Sequence, residues 1–473
     1  MSKYLPTIGI EVHVELKTNT KIFSNSINGY GSVVNSLTNV VDLGYPGTLP
    51  TLNEEVINLG IKAATVLNCK IRRHMHFDRK NYFYPDNPKN YQITQNDTPI
   101  GYDGYVEIND DGVMKKIYIE EMHIEEDTCK STHRKDNTYL DFNRAGVPLI
   151  EIVTKPCMTT PNEAKLYLEK LRELLFYTDV SDCKMEEGSM RADANISLRK
   201  KESDPFGTKV EIKNIGSISN VKLSLEKEIA RQEKMLDNNE TFKEQTRRFD
   251  SKLNDTVLMR VKETGNDYRY FPEPDIPFVY VTDEMIEEAV KEIPMLPDER
   301  RKKYQELGIS ELNANKLVAN RPLSDYINTL LGEKTNFKIA SNLLLGDISA
   351  YLNRTEKDIT ETTLTKERFI ELINLLDNNT LTSKNLKEML EDILEKEDTI
   401  TDIMKTKGIE NITDDSEIRT TIQNIMKANP ESVEDYRNGH DRAIKFLMGQ
   451  VMKETKGKAN PKLAMDILLE ELR

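Results

Sequence analysis

No stretch of this chain approaches the ~18 consecutive apolar residues that a membrane-spanning helix needs. Its opening run, Met1-Ser2-Lys3-Tyr4-Leu5-Pro6, lacks the apolar core of a secretory signal. The expectation is a cytoplasmic protein with no membrane partner. Cysteine is sparse: Cys69, Cys129, Cys157 and Cys183 stand far apart with no Cys-x-x-Cys pair. That argues against a structural zinc site and a disulfide framework, and leaves buried or incidental thiols. Basic excess is missing as well. With a formal net charge of −14, the chain could grip nucleic acid only through local patches, because counterion release rewards Lys and Arg. Neither a Gly-x-x-x-x-Gly-Lys-Ser/Thr loop nor a kinase-like glycine loop occurs, so the residues alone do not reveal ATP. No repeat or low-complexity tract stands out.

What is present is an ordinary globular composition, 37% hydrophobic and 31% charged over 473 residues. At ~100–200 residues per domain, that length suggests two to four domains. Up to about residue 290, short alternating runs are punctuated by Asn28-Gly29, Tyr45-Pro46-Gly47, Asp103-Gly104 and Asp111-Gly112, as an antiparallel sheet requires. Two helices are expected to interrupt it. Thr160-Pro161-Asn162-Glu163 is a capping box ahead of a stripe of Ala164, Leu168, Leu171 and Leu175. The second helix follows Ser217 or Ser219 and carries Val221, Leu225 and Ile229. Beyond the proline cluster Pro272 to Pro297 the period becomes helical from Asp298-Glu299-Arg300 onward, with a plausible joint at Lys405-Thr406-Lys407-Gly408. The fold class predicted is α+β: an antiparallel-sheet-rich domain with covering helices, then an all-helical domain and a small helical tail.

The first strand is the most informative run. A period of two puts Ile8, Ile10, Val12 and Val14 on one side and Glu11, His13 and Glu15 on the other. Two carboxylates flanking an imidazole suit a cation or a proton-transfer site; the alternative is a solvated sheet face. The run Arg191 to Arg199 alternates apolar residues with Arg191, Asp193, Asn195, Ser197 and Arg199, and Glu211 lies between Lys209 and Lys213. Glu125-Glu126-Asp127 ends a further acidic run that also contains His123. Carboxylates interleaved with Lys and Arg are what Mg²⁺ plus phosphate needs, since Mg²⁺ prefers oxygen ligands and phosphate wants basic partners. His13 fits a transition metal better than Mg²⁺, so it is a ligand, a neighbour of the ligands or a proton carrier. Two segments, Phe77 to Pro85 and Asp267 to Pro272, interleave aromatic and charged residues. They suit an unpaired nucleotide end, or equally tyrosines packed at a sheet margin. Near the C-terminus, Met452 to Pro461 reads as a helix stop whose lysines could also meet RNA phosphates.

These runs, in this order, resemble the B-subunit family of the bacterial tRNA-dependent amidotransferases from the first strand to the last helix. The most specific piece is Asp141-Phe142-Asn143-Arg144-Ala145-Gly146-Val147-Pro148-Leu149-Ile150-Glu151-Ile152. Phe77 to Pro85, Gly188 to Asn195, Asp267 to Pro274 and Thr455 to Pro461 support it. The resemblance implies a cradle domain over 1–293 for ATP, Mg²⁺ and the acylated tRNA 3′ end, a helical domain over 294–405, and a tRNA-gripping tail over 406–473. It implies phosphorylation of the side-chain carboxylate of Glu-tRNA(Gln) or Asp-tRNA(Asn), followed by amidation with ammonia. The ammonia comes from an amidase A subunit, and a small C subunit completes a heterotrimer. Carried over residue by residue, the metal face falls on Glu11, His13, Glu125, Asp193 and Glu211. Arg191, Lys213 and Asn195 are the candidates for the nucleotide, and Glu126, Lys80 and Lys89 for the catalytic lining where ammonia arrives. A metal-dependent phosphohydrolase without an RNA substrate and a noncatalytic tRNA-binding scaffold are the rival readings.

Three departures from the family pattern stand out. Ser24-Asn25-Ser26 replaces a Cys-x-Cys that some relatives use for zinc, so zinc is not expected. Thr128-Cys129-Lys130 replaces Ala-Gly-Lys, so a different local turn is expected, with Cys129 near the site. Asn214-Ile215-Gly216-Ser217-Ile218 replaces Asn-Leu-Asn-Ser-Phe and removes an aromatic side chain.

Overall fold

The computed structural model describes residues 3–261, 267–409, 415–438, 440, 442–455, 459 and 461–472. Lys456, Gly457, Lys458 and Asn460 of the C-terminal motif lie outside the described residues. The chain divides into two compact units, Met1–Leu296 and Pro297–Arg473.

The first unit is built on strands numbered here in chain order. They begin with β1 (Leu5–Glu15), β2 (Lys70–Ile71), β3 (His74–Met75), β4 (Asp78–Asn81), β5 (Tyr91–Thr94) and β6 (Gly101–Asp110). Next come β7 (Val113–Glu126), β8 (Lys130–Arg134), β9 (Asn137–Asp141), β10 (Pro148–Thr154) and β11 (Met190–Arg199). The last are β12 (Val210–Lys213), β13 (Gln245–Asp250), β14 (Asp255–Val261), β15 (Phe271–Pro272) and β16 (Val279–Tyr280). Nine of them form one sheet in the order β14-β13-β12-β11-β1-β10-β7-β6-β2, with β1 at its centre. All neighbours in it are antiparallel except β12 and β13. A three-stranded sheet, β15-β4-β5, brings the two aromatic and charged segments together.

The period-two reading of β1 holds: Ile8, Ile10, Val12 and Val14 are each at most 1% exposed, in one core with the helices. Complete burial of such side chains contributes ~1.5–3 kcal/mol each, which fixes the strand's face against a one-residue slip. The helix Pro161–Tyr177 is capped by Thr160, whose side chain accepts from Glu163 N. The reciprocal arm of the capping box is displaced, since Glu163 Oε2 accepts from Thr159 N at 2.7 Å. Ser217, not Ser219, caps the helix Ile218–Asp237. Two further helices, Glu54–Val66 and Asp283–Lys291, add to the two expected in this unit. In the first, capped by Asn53, nine of thirteen residues are buried, and Glu54, Asn58, Lys62 and Thr65 form a narrow polar stripe at helical spacing.

The second unit is helical from Pro297–Glu306 to Pro461–Leu472. The expected joint coincides with the end of the helix Ile400–Thr406, where Gly408 takes a φ of +67° that an L side chain rarely adopts. Ile418, Ile422, Leu447, Val451, Ile467 and Leu468 share a separate core. All four cysteines are free thiols, with Cys129 and Cys183 buried. No helix among the described residues is long and apolar enough to cross a membrane.

Candidate functional site

Pairing register carries the polar face of β1 across the sheet. His13 sits opposite Glu151 of β10 and Arg191 of β11, while Glu151 sits opposite His123 of β7. Directly opposed residues share a face, so His123, Glu151, His13 and Arg191 form one row over four strands. One residue pair along, Glu11 opposes Asp193. Above this face lies a cavity of about 870 Å³, whose lining includes Glu11, His13, Lys80, His123, Glu125, Glu151, Arg191, Glu211, Lys213 and Arg260.

Glu151 is the hub. One of its oxygens, Oε2, lies 2.9 Å from His123 Nε2 and 3.5 Å from His13 Nε2. Burial disfavours charge on both imidazoles, yet their hydrogen bonds and attraction to Glu151 hold both above the usual histidine range. The Glu151 carboxyl is held well below the carboxylate range: burial pushes it up, and the two histidines outweigh that. Glu11, whose Oε1 is 3.9 Å from His13 Nε2, is pushed up to about 7 by burial, with repulsion from Glu151 added.

Two sets of three side chains could hold a cation here, Glu11 with His13 and Glu151, and His123 with Glu125 and Glu151. Within each set the ligand atoms lie within 4.8 Å of one another. Asp193 and Glu211 share the sheet face but are engaged by Lys213, whose Nζ is 2.5 Å from Asp193 and 3.1 Å from Glu211. Glu211 also accepts from Thr246 Oγ1 at 2.9 Å. Burial opposes the charge on Lys213, and these acids with Glu11 raise its pKa regardless. Arg191 donates to Asp127 at 2.5 Å. Asn195 Oδ1, Arg191 Nε and His123 Nδ1 are buried with no hydrogen-bond partner among the described residues, unspent polar capacity at the edge of this site.

The structure separates the residues of the expected ammonia lining. Lys80 Nζ lies 3.4 Å from Glu125 and faces the cavity. Lys89 instead clasps Glu126, with one contact at 2.6 Å, and Glu126 also accepts from Ile93 N at 2.9 Å. This pair is largely buried and lies outside the cavity lining. Burial raises the Glu126 carboxyl above its ordinary range against the pull of Lys89. Gln92 ties the two acids together, donating to Glu125 Oε1 at 3.1 Å and Glu126 O at 2.8 Å.

The aromatic segments meet at the cavity margin. Tyr82 and Tyr268 ring centroids lie 6.2 Å apart, Tyr268 and Tyr270 5.8 Å apart, and Lys80 sits 5.5 Å from the Tyr268 ring. Arg79 fixes this margin with a two-pronged contact to Glu273 at 2.6 and 2.8 Å.

The departures also acquire positions. Ser24 and Ser26 both donate to the buried Asp42 carboxylate, at 2.6 and 2.5 Å, with Lys21 Nζ 3.3 Å away. Thr128 and Cys129 present carbonyls to Arg144, and burial pushes the Cys129 thiol up to about 11. Glu151, His123 and Arg260 join the site although none is an expected site residue, His123 and Glu151 figuring only as members of longer runs. The signal for Glu151 is an acid alone in the otherwise uncharged strand Pro148–Thr154, but its meaning depends on register.

Residues 6–287 match the family described as the GatB/GatE catalytic domain, and residues 325–472 match the GatB domain. The chain is 49% identical over 466 residues to the B subunit of the aspartyl/glutamyl-tRNA(Asn/Gln) amidotransferase of Bacillus mycoides (strain KBAB4), covering 98% of each chain. The same protein of Bacillus cereus (strain AH187) is 49% identical with the same coverage. On the length and closeness of these matches, the chain belongs to the GatB/GatE family of tRNA-dependent amidotransferase B subunits.

Proposed function

We propose that this chain is the kinase and transamidase subunit of a cytoplasmic, glutamine- and ATP-dependent tRNA amidotransferase. It would act on Glu-tRNA(Gln), Asp-tRNA(Asn) or both, in a heterotrimer with an amidase A subunit and a small C subunit. The observation that carries this reading is the mixed cavity. An acid and imidazole cluster around Glu151 shares about 870 Å³ with Lys80, Arg191, Lys213 and Arg260. Magnesium fits the carboxylate oxygens gathered there, and Asn195 Oδ1 and Arg191 Nε, without a hydrogen-bond partner among the described residues, suit a polar ligand such as ATP.

Glu11, Glu125 and Glu151 would hold the ion, with His13 and His123 beside it. When bound, Mg-ATP supplies the phosphoryl group that turns the carboxylate oxygen into a leaving group. The protein's own groups do the rest. Lys213, braced by Asp193 and Glu211, and Arg191, braced by Asp127, present fixed positive charge toward phosphate oxygens without reorganising. Tyr268, Tyr270 and Tyr82 offer stacking faces for the terminal nucleotide. Glu126, whose carboxylate burial makes a stronger base, would take a proton from incoming ammonium and so leave neutral ammonia. The tail would grip the tRNA body.

No observation favours the phosphohydrolase or the scaffold. The test is co-expression with the A and C subunits and assay of ATP-dependent conversion of both misacylated tRNAs in parallel. Conversion of at least one is expected. Failure on both would overturn the reading, ATP turnover indifferent to tRNA would favour the phosphohydrolase, and full activity in Glu151→Gln would favour the scaffold.

A further inference from the structure

Three of the lysines and arginines lining the cavity each face a carboxylate: Lys80 faces Glu125, Arg191 faces Asp127 and Lys213 faces Asp193. Arg260 does not. It lines the same cavity and is exposed, and its side chain has no hydrogen bond or ion pair among the described residues. A break in strand register puts it there. Thr246 pairs with Arg260 and Arg247 with Leu258, so Met259 is an extra residue of β14 with no partner on β13. Arg247 points to the helix side of the sheet, where its Nε lies 3.4 Å from Glu228 of the helix Ile218–Asp237. Strict alternation from Leu258, opposite Arg247, would send Arg260 to that side as well. The bulge turns it over, opposite Thr246, whose hydroxyl donates to Glu211 on the cavity face.

The hairpin that carries Arg260 is pinned from behind. Glu228, fully buried, accepts from Thr256 Oγ1 at 3.0 Å, while Arg247 donates to Thr256 Oγ1 at 2.9 Å and to Thr256 O at 2.7 Å. In the sheet, β14 lies four strands from β1, ~19 Å at ~4.8 Å per strand. The cation cluster around Glu151 occupies β1, β10 and β7, and the tyrosine margin joins beyond it, where Gln92 of β5 reaches Glu125 of β7. Arg191 on β11 and Lys213 on β12 stand between that cluster and β14. A nucleotide whose terminal phosphate lies at the cluster therefore crosses these two cations and carries its base toward Arg260. Val261 and Glu244 line the same end, and no ion pair joins Glu244 to Arg260 among the described residues. A carboxylate repels phosphate and accepts from an exocyclic amino group, and an exposed valine suits an uncharged ring, so the surroundings fit a base better than an anion.

We propose that Arg260 is the base-holding residue of the nucleotide site: its guanidinium plane stacks on the purine ring of ATP and so sets the direction of the nucleotide, base at β14 and terminal phosphate at Glu151. A guanidinium free of carboxylates keeps both faces of its plane open for a ring, and lysine is a poor replacement at a stacked site. In taking ATP as the ligand, the inference rests on the proposed function.

The test uses the full chain co-expressed with its amidase and small subunits, comparing Arg260→Met, Arg260→Lys and Arg260→Trp with Arg73→Met. Arg73 is an exposed arginine outside the cavity lining. Arg260→Met and Arg260→Lys should each raise the KM for ATP, and the Kd of Mg-ATP read by calorimetry, about tenfold or more, because base stacking is lost. Arg260→Trp, which keeps a stacking plane, should hold both within about threefold of wild type. In every variant kcat and the KM for tRNA should change little, and Arg73→Met should behave as wild type. Unchanged ATP binding in Arg260→Met would overturn the inference. So would rescue by Arg260→Lys and not by Arg260→Trp, which would make the contact a phosphate, or a raised KM for tRNA with ATP binding intact, which would make the occupant RNA. If the wild type converts neither misacylated tRNA, the proposed function fails while the calorimetric comparison still decides the role of Arg260; if the wild type binds no Mg-ATP at all, both fail.

Discussion

Replacing Asp42 by alanine should cost the β-rich unit about 3–5 kcal/mol. The side chains of Asp42 and Lys21 are 3% and 0% exposed. Two hydroxyls, from Ser24 and Ser26, one ammonium and the Asn39 amide at 3.0 Å converge on this one carboxylate. Removing one partner of a buried ion pair typically costs ~3–5 kcal/mol, and each donor stranded without an acceptor adds ~1–3 kcal/mol unless it relaxes. Relaxation limits the sum: burial already lowers the Lys21 pKa, so the amine can neutralise once Asp42 is gone. At a urea slope of ~3 kcal/mol/M or above, the midpoint should fall by ~1 M. Hydrogen exchange read by mass spectrometry across a urea series separates the units, since residues 5–15 report the first and residues 461–472 the second. Only the first should weaken. Lys21→Met with Asp42→Leu should recover part of the loss, because an apolar pair of similar volume strands no charge, although the two hydroxyls and the amide still lose their acceptor. A cost below ~1 kcal/mol for Asp42→Ala, or equal stability of the single and double variants, would refute the reasoning.

Three other outcomes follow from the same geometry. Glu126→Gln should slow conversion driven by glutamine and by ammonium chloride; unchanged rates with both would remove its proton-transfer role. Glu15, pushed up to about 7 mainly by burial, binds its proton more tightly folded than unfolded, so its ionisation destabilises. That contribution is fully favourable below about pH 4.5 and is lost as pH rises through 7, at most ~3 kcal/mol and less for a partly exposed group. Glu15→Gln should therefore flatten part of the decline in urea midpoint between pH 5 and 8, with Glu11 still contributing; an unaltered slope would contradict the assignment. Gly104→Ala should destabilise by ~1–3 kcal/mol because its Cβ would meet Cys69 Sγ at 2.3 Å and Leu67 O at 2.7 Å; a thermal midpoint within a degree of wild type would count against this packing.

Legibility in the sequence depends on whether a signal is local. Alternation in β1 is a property of neighbours, so the buried Ile8 to Val14 row and the outward Glu11 and His13 can be read directly. The helix caps at Thr160 and Ser217 are equally local. The helix Glu54–Val66 is equally legible, with Asn53 as its cap and Glu54, Asn58, Lys62 and Thr65 as its polar stripe, but it lies within a run of turn signals that read as sheet. Glu151 escapes for a different reason: its partners His13 and His123 lie on strands far away in the chain, and only register brings them together. Lys80 and Lys89 cannot be told apart either, because the acids they serve, Glu125 and Glu126, stand at the end of β7, far along the chain from both.

The central claim is that the row through Glu151 gathers a divalent cation in this cavity. Calorimetric titration of Mg²⁺, repeated with Mn²⁺ as a paramagnetic reporter, tests it most directly in the wild type, Glu151→Gln and Asp97→Asn. Asp97 belongs to the separate His76 and Asp78 cluster. The account predicts that Glu151→Gln weakens cation binding at least tenfold while Asp97→Asn leaves it unchanged. Equal binding in the wild type and Glu151→Gln, or loss with Asp97→Asn alone, would contradict it.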